Sequence, residues 1–328
     1  MASRAQEHQI FVDELRRLAA ATADARVTAI AERAAAPVRV AVCGRAGVGR
    51  GTVAHALTCA GVAVTVPAQA DVVVYVIAEV VKPEDSAAIA ASRPPLLVVL
   101  NKADLAGSLR CAQVSALTGV RAEPLVAVLA ATVLDGRLDA TLWDALRVLA
   151  ADATRPWCLD DFLNGPHRLP REVRLRLCDT LDLFGITAAV AALRRGRPTA
   201  AVQARLRALS GVDAVLARLA ALGAEVHYRR MLDLVAELEA LAVGADDACI
   251  GDFLSGDAAV FARASAAADV LEAAGLSIDR AADPAAQLRC AQSWQRYRRG
   301  PVSPMYRTCA RDIARASLRR WSAAGGAA

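Results

Sequence analysis

The sequence predicts an α/β fold with a minimal five-stranded, doubly wound parallel sheet, joined to an all-α helical domain. Short and almost wholly apolar runs alternate with helix-like segments in the first half, which is typical of strands buried on both faces of a parallel sheet. Strand signals end after Ala153. The hydrophobic fraction is 55% and the aromatic fraction only 4%, with Ala dominant, which favours closely packed helices over a large β-sandwich.

The elements follow from the spacing of apolar residues. Residues 4–34 carry Ile, Phe and Leu at helical spacing and predict one or two amphipathic helices, which Ala36-Pro37 ends. Five apolar runs then predict strands over 38–43, 62–66, 71–77, 95–100 and 125–129. The segments between and after them predict helices over about 51–60, 83–91, 105–117 and 139–151.

The second half is predicted to be helical throughout. Residues 156–170 contain Pro and Gly and are predicted to be a linker. Gly and Pro then separate helices predicted over roughly 170–184, 186–194, 198–209, 211–242, 257–275, 284–299 and 304–322. The predicted organisation is a helical N-terminal segment (1–36), an α/β domain (37–153) and an α-helical domain (154–328).

A glycine-rich turn follows the first predicted strand, in the stretch AVCGRAGVGRGTVA at 41–54. A phosphate-binding loop satisfies G-x-x-x-x-G-K-[ST]. Here Gly44 and Gly49 fit that pattern, but Arg50 stands in the Lys position and Gly51 in the Ser/Thr position. Glycine-rich turns between strand and helix are common, so the loop alone is a weak signal.

A second motif, Asn101-Lys102-Ala103-Asp104, follows the fourth predicted strand directly. A carboxylate such as that of Asp104 can accept from both the N1–H and the exocyclic amine of guanine, a donor pair that adenine lacks. The chain has only two Lys among its 39 basic residues, Lys82 and Lys102, and one of them lies in this motif. Both motifs end strands, where ligands bind in open α/β sheets.

On these two motifs, residues 38–151 resemble a P-loop GTPase of the translation-factor class, over about a third of the chain. The resemblance implies that GTP or GDP is the ligand and that the Asn ties the base-binding loop to the phosphate loop. It implies two sets of binding residues: Gly44, Gly47, Gly49, Arg50, Gly51 and the adjoining Thr52 at the phosphates, and Asn101, Lys102 and Asp104 at the base.

The departures from that family concern hydrolysis. Arg50 keeps the charge of the missing Lys but is bulkier and planar. Gly51 lacks the hydroxyl that would ligate Mg²⁺, and Thr52 lies about 100° further round the helix, so Mg²⁺ binding is not expected. The switch region is reduced to GVAVTVPAQA, and no D-x-x-G turn occurs in that segment. The stretch VSALTG at 114–119 looks like the last motif of the family. It does not supply that motif, since Ser115 is expected on a helix and the equivalent loop is expected at 130–132.

We therefore expect a regulatory or scaffolding protein with a pseudo-GTPase domain and no catalytic residue of its own. Two alternatives stay open. The first is a slow GTPase that needs a partner to position Mg²⁺ or water. The second is a nucleotide-free protein–protein interaction module.

Cysteines and histidines give no predicted metal site. None of the eight Cys forms C-x-x-C, and no His lies at zinc spacing, which predicts small core cysteines in a reducing compartment. The four His fall in separate segments and are predicted to be surface or capping residues. No signal peptide or stretch of about 18 apolar residues is evident, so we expect a cytoplasmic protein without a transmembrane segment.

The net charge of +5 is concentrated at the C-terminus, where the last 38 residues hold eight Arg and one acid. Four of these recur every four residues and form a basic helical stripe: Arg307, Arg311, Arg315 and Arg319. The stripe fits a solvated face, docking to an acidic protein partner, or an anionic membrane surface. No nucleic-acid-binding motif accompanies it, which disfavours nucleic acid.

Overall fold

A computed structural model describes residues 4–152, 158–166, 168–245, 248–279 and 283–325. By its contacts the chain divides into two compact units, residues 39–219 and residues 1–38 with 220–328. We call these the sheet unit and the helical unit. Their bounds differ from the three predicted segments, because helices from the second half pack within the sheet unit and the N-terminal helices pack within the helical unit.

The sheet unit contains a five-stranded sheet in which every pairing is parallel, as predicted. The strand order is β2-β1-β3-β4-β5. The chain therefore adds β2 on one side of β1 and the three later strands on the other side. All seven residues of β3 are buried. Because successive side chains of a strand point to opposite faces, the sheet is covered on both faces at β3. The strands are β1 (Arg39–Gly44), β2 (Ala63–Thr65), β3 (Val72–Ala78), β4 (Leu96–Asn101) and β5 (Ala122–Leu125).

The helices of the sheet unit form two cores. One core joins β3 and β4 to α4 and α5, and the other joins α6 to α10 with one another. The helices are α3 (Arg50–Cys59), α4 (Pro83–Ala90), α5 (Ala103–Thr118), α6 (Ala127–Asp135), α7 (Ala140–Ala151), α8 (Leu159–Asn164), α9 (Arg171–Arg194) and α10 (Thr199–Ser210).

One sequence prediction in this unit is wrong, and a second needs an addition. The predicted fifth strand at 125–129 is mostly helix, because β5 ends at Leu125 and α6 begins at Ala127. A buried helix shows the same continuous apolar run as a buried strand, so the pattern does not separate them. The loop expected at 130–132 therefore lies inside α6. The predicted linker contains α8, whose Phe162 is buried.

The helical unit packs around α13, an Ala-rich helix buried on most of its circumference. Small side chains let neighbouring helices approach it closely. The predicted N-terminal helices are present. The helices of this unit are α1 (Arg4–Thr22), α2 (Ala25–Ala35), α12 (Ala248–Ser255), α13 (Asp257–Ala273), α14 (Pro284–Tyr297), α15 (Pro304–Ala323) and the greater part of α11 (Val212–Ala245).

Two histidines of the helical unit are not the surface residues that the sequence predicts. His8 and His227 are partly buried and face each other edge to face, with ring centroids 4.6 Å apart. Burial lowers the pKa of both imidazoles, that of His227 to about 4 with smaller contributions from His8 and Arg230.

Candidate functional site

The candidate site lies at the carboxyl ends of β1 and β4 in the sheet unit. The loop after β1 runs from Gly44 to Gly49 and leads into α3, while Asn101 ends β4 and Lys102 precedes α5. The strand order changes direction between β1 and β3, and crevices at such a switch point bind ligands in open α/β sheets. The two sequence motifs are therefore brought to the same edge of the sheet.

The glycines of the loop are required by its backbone. Gly44, Gly47 and Gly49 have φ values of +138°, +83° and +88°, which side-chain-bearing residues rarely adopt. A Cβ on Gly44 would lie 2.4 Å from the Val76 carbonyl oxygen, and one on Gly49 would lie 2.4 Å from Asn101 Nδ2. Around Gly47 and Gly51 a Cβ would meet no atom within 4 Å, which leaves open space beside the loop.

Asn101 connects the two motifs. Its side chain is buried, and its Nδ2 donates to the Val48 carbonyl oxygen of the glycine-rich loop at 3.0 Å. Its Oδ1 accepts from the Ala127 backbone N–H at the start of α6, at 3.1 Å. Both ends of the amide are satisfied, so one side chain fixes the glycine-rich loop, the end of β4 and the start of α6. The tie between the two loops that the resemblance implied is present.

A second anchor of the loop was not found by sequence reasoning. The Arg45 Nε donates to both carboxylate oxygens of Asp85, at 2.9 and 3.0 Å, and its Nη2 donates to the Val80 carbonyl oxygen. Asp85 is fully buried and also accepts from the Tyr75 hydroxyl and the Lys82 backbone N–H. These contacts hold the loop against the start of α4.

The buried carboxylate also affects the tyrosine. Burial, with the hydrogen bond to Asp85, raises the pKa of Tyr75 to about 12, so its hydroxyl remains a donor at neutral pH. Arg45 and Asp85 are 40 residues apart, and only the packing of α4 beside β1 brings them together. No local sequence signal could have identified the pair.

The Asn101–Asp104 motif contains an unusual backbone conformation. Lys102 has φ +56° at the N-cap of α5, and its side chain is exposed. Asp104 is half-buried in the first turn of that helix. Burial raises the pKa of the Asp104 carboxyl, and the nearby charge of Asp182 adds to the effect. Asp182 has φ +55° inside α9, where the helix kinks, and its proximity to Asp104 was not predicted.

The remaining predicted phosphate residues lie in the first turn of α3. Arg50 and Gly51 are exposed and Thr52 is half-buried. Arg50 is close enough to Cys43 that its charge partly offsets the burial that raises the pKa of that thiol. The first backbone N–H groups of a helix favour an anion. Asp85, already bonded to three donors, is not free to ligate a metal at this edge.

The predicted basic stripe lies on exposed positions of α15 in the helical unit. Arg319 pairs with Asp257 at 2.7 Å, and Arg307 donates weakly to the Val302 carbonyl oxygen. Arg311 and Arg315 line a cavity of about 440 Å³ together with the acids Glu239 and Asp312, and the Arg311 Nε lies 3.6 Å from Asp312 Oδ1. Part of the charge of the stripe is therefore paired with acids of the same unit.

Ser115 lies on α5, as expected, where its Oγ donates to the Cys111 carbonyl oxygen. All eight cysteines are free, and two of them, Cys290 and Cys309, are fully in the core. Among the described residues, no helix is both long enough and apolar enough to cross a membrane.

Gly51 offers no hydroxyl for a divalent cation at the start of α3. Comparison with protein-family models, curated proteins and solved structures found no match to this chain.

Proposed function

We propose that the sheet unit binds a guanine nucleotide without hydrolysing it efficiently, and that the chain acts as a regulatory or scaffolding protein. The observation that carries this proposal is the buried Asn101 amide, which bonds to the glycine-rich loop and to the start of α6 at once. A bond between the two loops holds the base-reading residues and the phosphate-facing backbone at a fixed separation, as a nucleotide requires.

The base half of the proposal rests on Asp104. Its carboxylate, when ionised, accepts from two adjacent donors on the guanine edge, and adenine offers no such pair. Burial and the charge of Asp182 raise the pKa of Asp104, so binding should weaken with acidification at a higher pH than for an exposed aspartate.

The phosphate half rests on the backbone of the loop and the first turn of α3. Three glycines with positive φ let the N–H groups turn toward a common space, and the exposed Arg50 supplies positive charge beside it. Gly51 supplies no Mg²⁺ ligand, and the short segment GVAVTVPAQA between α3 and β3 has no D-x-x-G turn to sense a γ-phosphate. Binding without efficient hydrolysis follows from this set of residues.

The proposed role also uses the helical unit. Two arginines of the basic stripe, Arg311 and Arg315, line an open cavity. Their charge supports docking of an acidic protein partner, with an anionic membrane surface as the alternative. In this proposal, nucleotide binds at the glycine-rich loop, and partner binding uses a separate surface.

The proposal is tested by titrating the full chain with fluorescent analogues of GTP, GDP and ATP, with and without Mg²⁺. We expect GTP and GDP to bind with similar affinity, little dependence on Mg²⁺, and much weaker binding of ATP. Asp104→Asn replaces an acceptor by a donor and should weaken guanine binding by about tenfold or more. Because ionised Asp104 is held in a partly buried position, the same change should not lower stability.

Asp144→Asn is the matched control, since Asp144 is an exposed acid on α7 that pairs only with Arg147 on its own helix. Its nucleotide affinity should equal that of the wild type. Absence of guanine-nucleotide binding at high micromolar protein would favour the nucleotide-free module. GTP turnover above background that is lost in Arg50→Ala would instead favour the slow GTPase.

A further inference from the structure

Three side chains with metal-binding atoms meet on the surface of the sheet unit, away from the glycine-rich loop. His55 and Cys59 lie one turn apart on α3, and Asp135 is the last residue of α6. The Nε2 of His55 is 3.3 Å from Asp135 Oδ2 and 3.7 Å from Cys59 Sγ. The three ligand atoms all lie within 4.8 Å of one another.

These separations are close to those that one tetrahedral zinc ion requires. Zinc bonds of about 2.0 Å to nitrogen and oxygen and about 2.3 Å to sulfur imply an N···O distance of about 3.3 Å and an N···S distance of about 3.5 Å. The N···O distance of 3.3 Å and the N···S distance of 3.7 Å are close to both values, and the third pair of ligand atoms lies within 4.8 Å. We propose that His55, Cys59 and Asp135 form a zinc-binding site.

The donor set selects the class of metal. A thiolate and an imidazole favour Zn²⁺ over the hard cations Mg²⁺ and Ca²⁺, which prefer oxygen ligands. Three protein ligands leave a fourth position, and the side chains of His55 and Asp135 are 50% and 45% exposed. Water can therefore reach that position, as in zinc sites that keep an open coordination position.

The proposed zinc site would connect α3 and α6, and both of these helices begin at the candidate nucleotide site. The N-terminus of α3 continues from the glycine-rich loop, and the Ala127 N–H at the start of α6 donates to Asn101. Zinc at the other ends of these helices would fix α3 against α6. The inference itself does not depend on nucleotide binding, since it rests only on the three side chains.

The sequence predicted no metal site because it contains no C-x-x-C and no His at the usual zinc spacing. The H-x-x-x-C spacing of His55 and Cys59 puts two ligands on one helical face and could have been found. The third ligand could not, because Asp135 follows 80 residues after His55.

The test is a titration of the metal-free full chain with Co²⁺, which takes the place of Zn²⁺ and is visible by absorption. We expect one equivalent of Co²⁺ to give a thiolate-to-cobalt charge-transfer band and the visible bands of four-coordinate cobalt, both removed by added Zn²⁺. Cys59→Ser should abolish the charge-transfer band. His55→Ala and Asp135→Asn should each weaken Co²⁺ binding on the order of tenfold or more.

Cys158→Ser is the matched control, because Cys158 is an exposed cysteine of the same unit and Ser can retain its N-cap bond to the Asp161 backbone N–H. It should leave the cobalt spectrum unchanged. All four changed residues lie at the surface or half-buried, and circular dichroism will verify that the variants fold. Absence of the charge-transfer band in the wild type, or its persistence in Cys59→Ser, would overturn the proposal, as would equal loss in Cys158→Ser.

Discussion

Each unit buries one aspartate that accepts hydrogen bonds from a tyrosine and an arginine, but the arginines come from different kinds of structure. In the helical unit, Asp312 on α15 accepts from Tyr228 on α11 and from Arg263 on α13. All three residues lie on long helices. In the sheet unit, Asp85 accepts from Tyr75 on β3 and from Arg45, which lies in the glycine-rich loop.

The difference shows two uses of the same chemistry. The Asp312 cluster joins three helices that hydrophobic packing already holds, so it satisfies polar groups within a core. The Asp85 cluster attaches the glycine-rich loop, whose Arg45 lies outside any helix or strand, so here the ion pair helps to determine where a loop lies. We infer that the glycine-rich loop is held in place by Arg45 from one side and by Asn101 from the other.

The largest expected effect comes from deleting the buried carboxylate of the helical unit. Asp312→Ala leaves the Arg263 guanidinium, whose side chain is 12% exposed, without its partner and removes the acceptor of the buried Tyr228 hydroxyl. Losing one member of a buried ion pair costs roughly 3–5 kcal/mol. Asp85→Ala should cost less, about 2 kcal/mol, because Arg45 is 22% exposed and can turn to water.

Denaturant unfolding with hydrogen exchange on peptides of each unit measures both variants. Asp257→Ala is the control, since Asp257 forms an exposed pair with Arg319 and should change the free energy of unfolding by less than about 1 kcal/mol. Equal losses in the Asp312 and Asp85 variants would contradict the distinction between the two clusters.

The stability of the two units should also respond differently to acid. The pKa of His227 is about 4 in the folded helical unit and about 6.5 when unfolded, so neutral His227 contributes stability that is fully present above pH 6.5. That stability is lost as the pH falls from about 6.5 to about 4, a decrease of up to about 3 kcal/mol. The pKa of its neighbour His8 is also lowered, which acts in the same direction.

We therefore expect the hydrogen-exchange protection of the helical unit, corrected for the intrinsic exchange rate at each pH, to fall over this pH range more than that of the sheet unit. His227→Phe keeps an aromatic ring against His8 and should flatten the dependence. His55→Ala, measured in metal-free buffer, is the control because His55 is exposed and lies in the sheet unit. A slope that His227→Phe leaves unchanged would mean that another group causes the acid sensitivity.

The sequence predicted those features whose signal is local. Apolar runs located the first four strands to within about two residues, and the positions of Gly44 and Gly49 predicted a glycine-rich turn. The predicted end of the fifth strand is wrong, because Leu125 and Leu129 lie in one continuous apolar run that suits either a strand or a helix. Local pattern indicates which residues are buried but not always in which element.

The contacts that fix the candidate site are long-range, and most were not predictable. The Asn101 bond was implied only because two motifs suggested one ligand. Arg45 reaches an aspartate 40 residues away, and Asp182 approaches Asp104 from a kinked helix. Such pairs depend on how helices pack across the sheet, which periodicity alone does not encode.

The smallest expected effect tests whether the loop is held from the Asn101 side. Gly49→Ala and Gly119→Ala both put a Cβ on a left-handed backbone, at φ +88° and +69°, and share that cost of about 1–2 kcal/mol. At Gly119 the Cβ meets nothing within 4 Å, whereas at Gly49 it would lie 2.4 Å from Asn101 Nδ2. Gly49→Ala should therefore lower stability by about 1 kcal/mol more, the net value of a buried hydrogen bond. Thermal unfolding of the two variants measures the difference, and equal losses would show that the Asn101 bond to Val48 adds no stability to the loop.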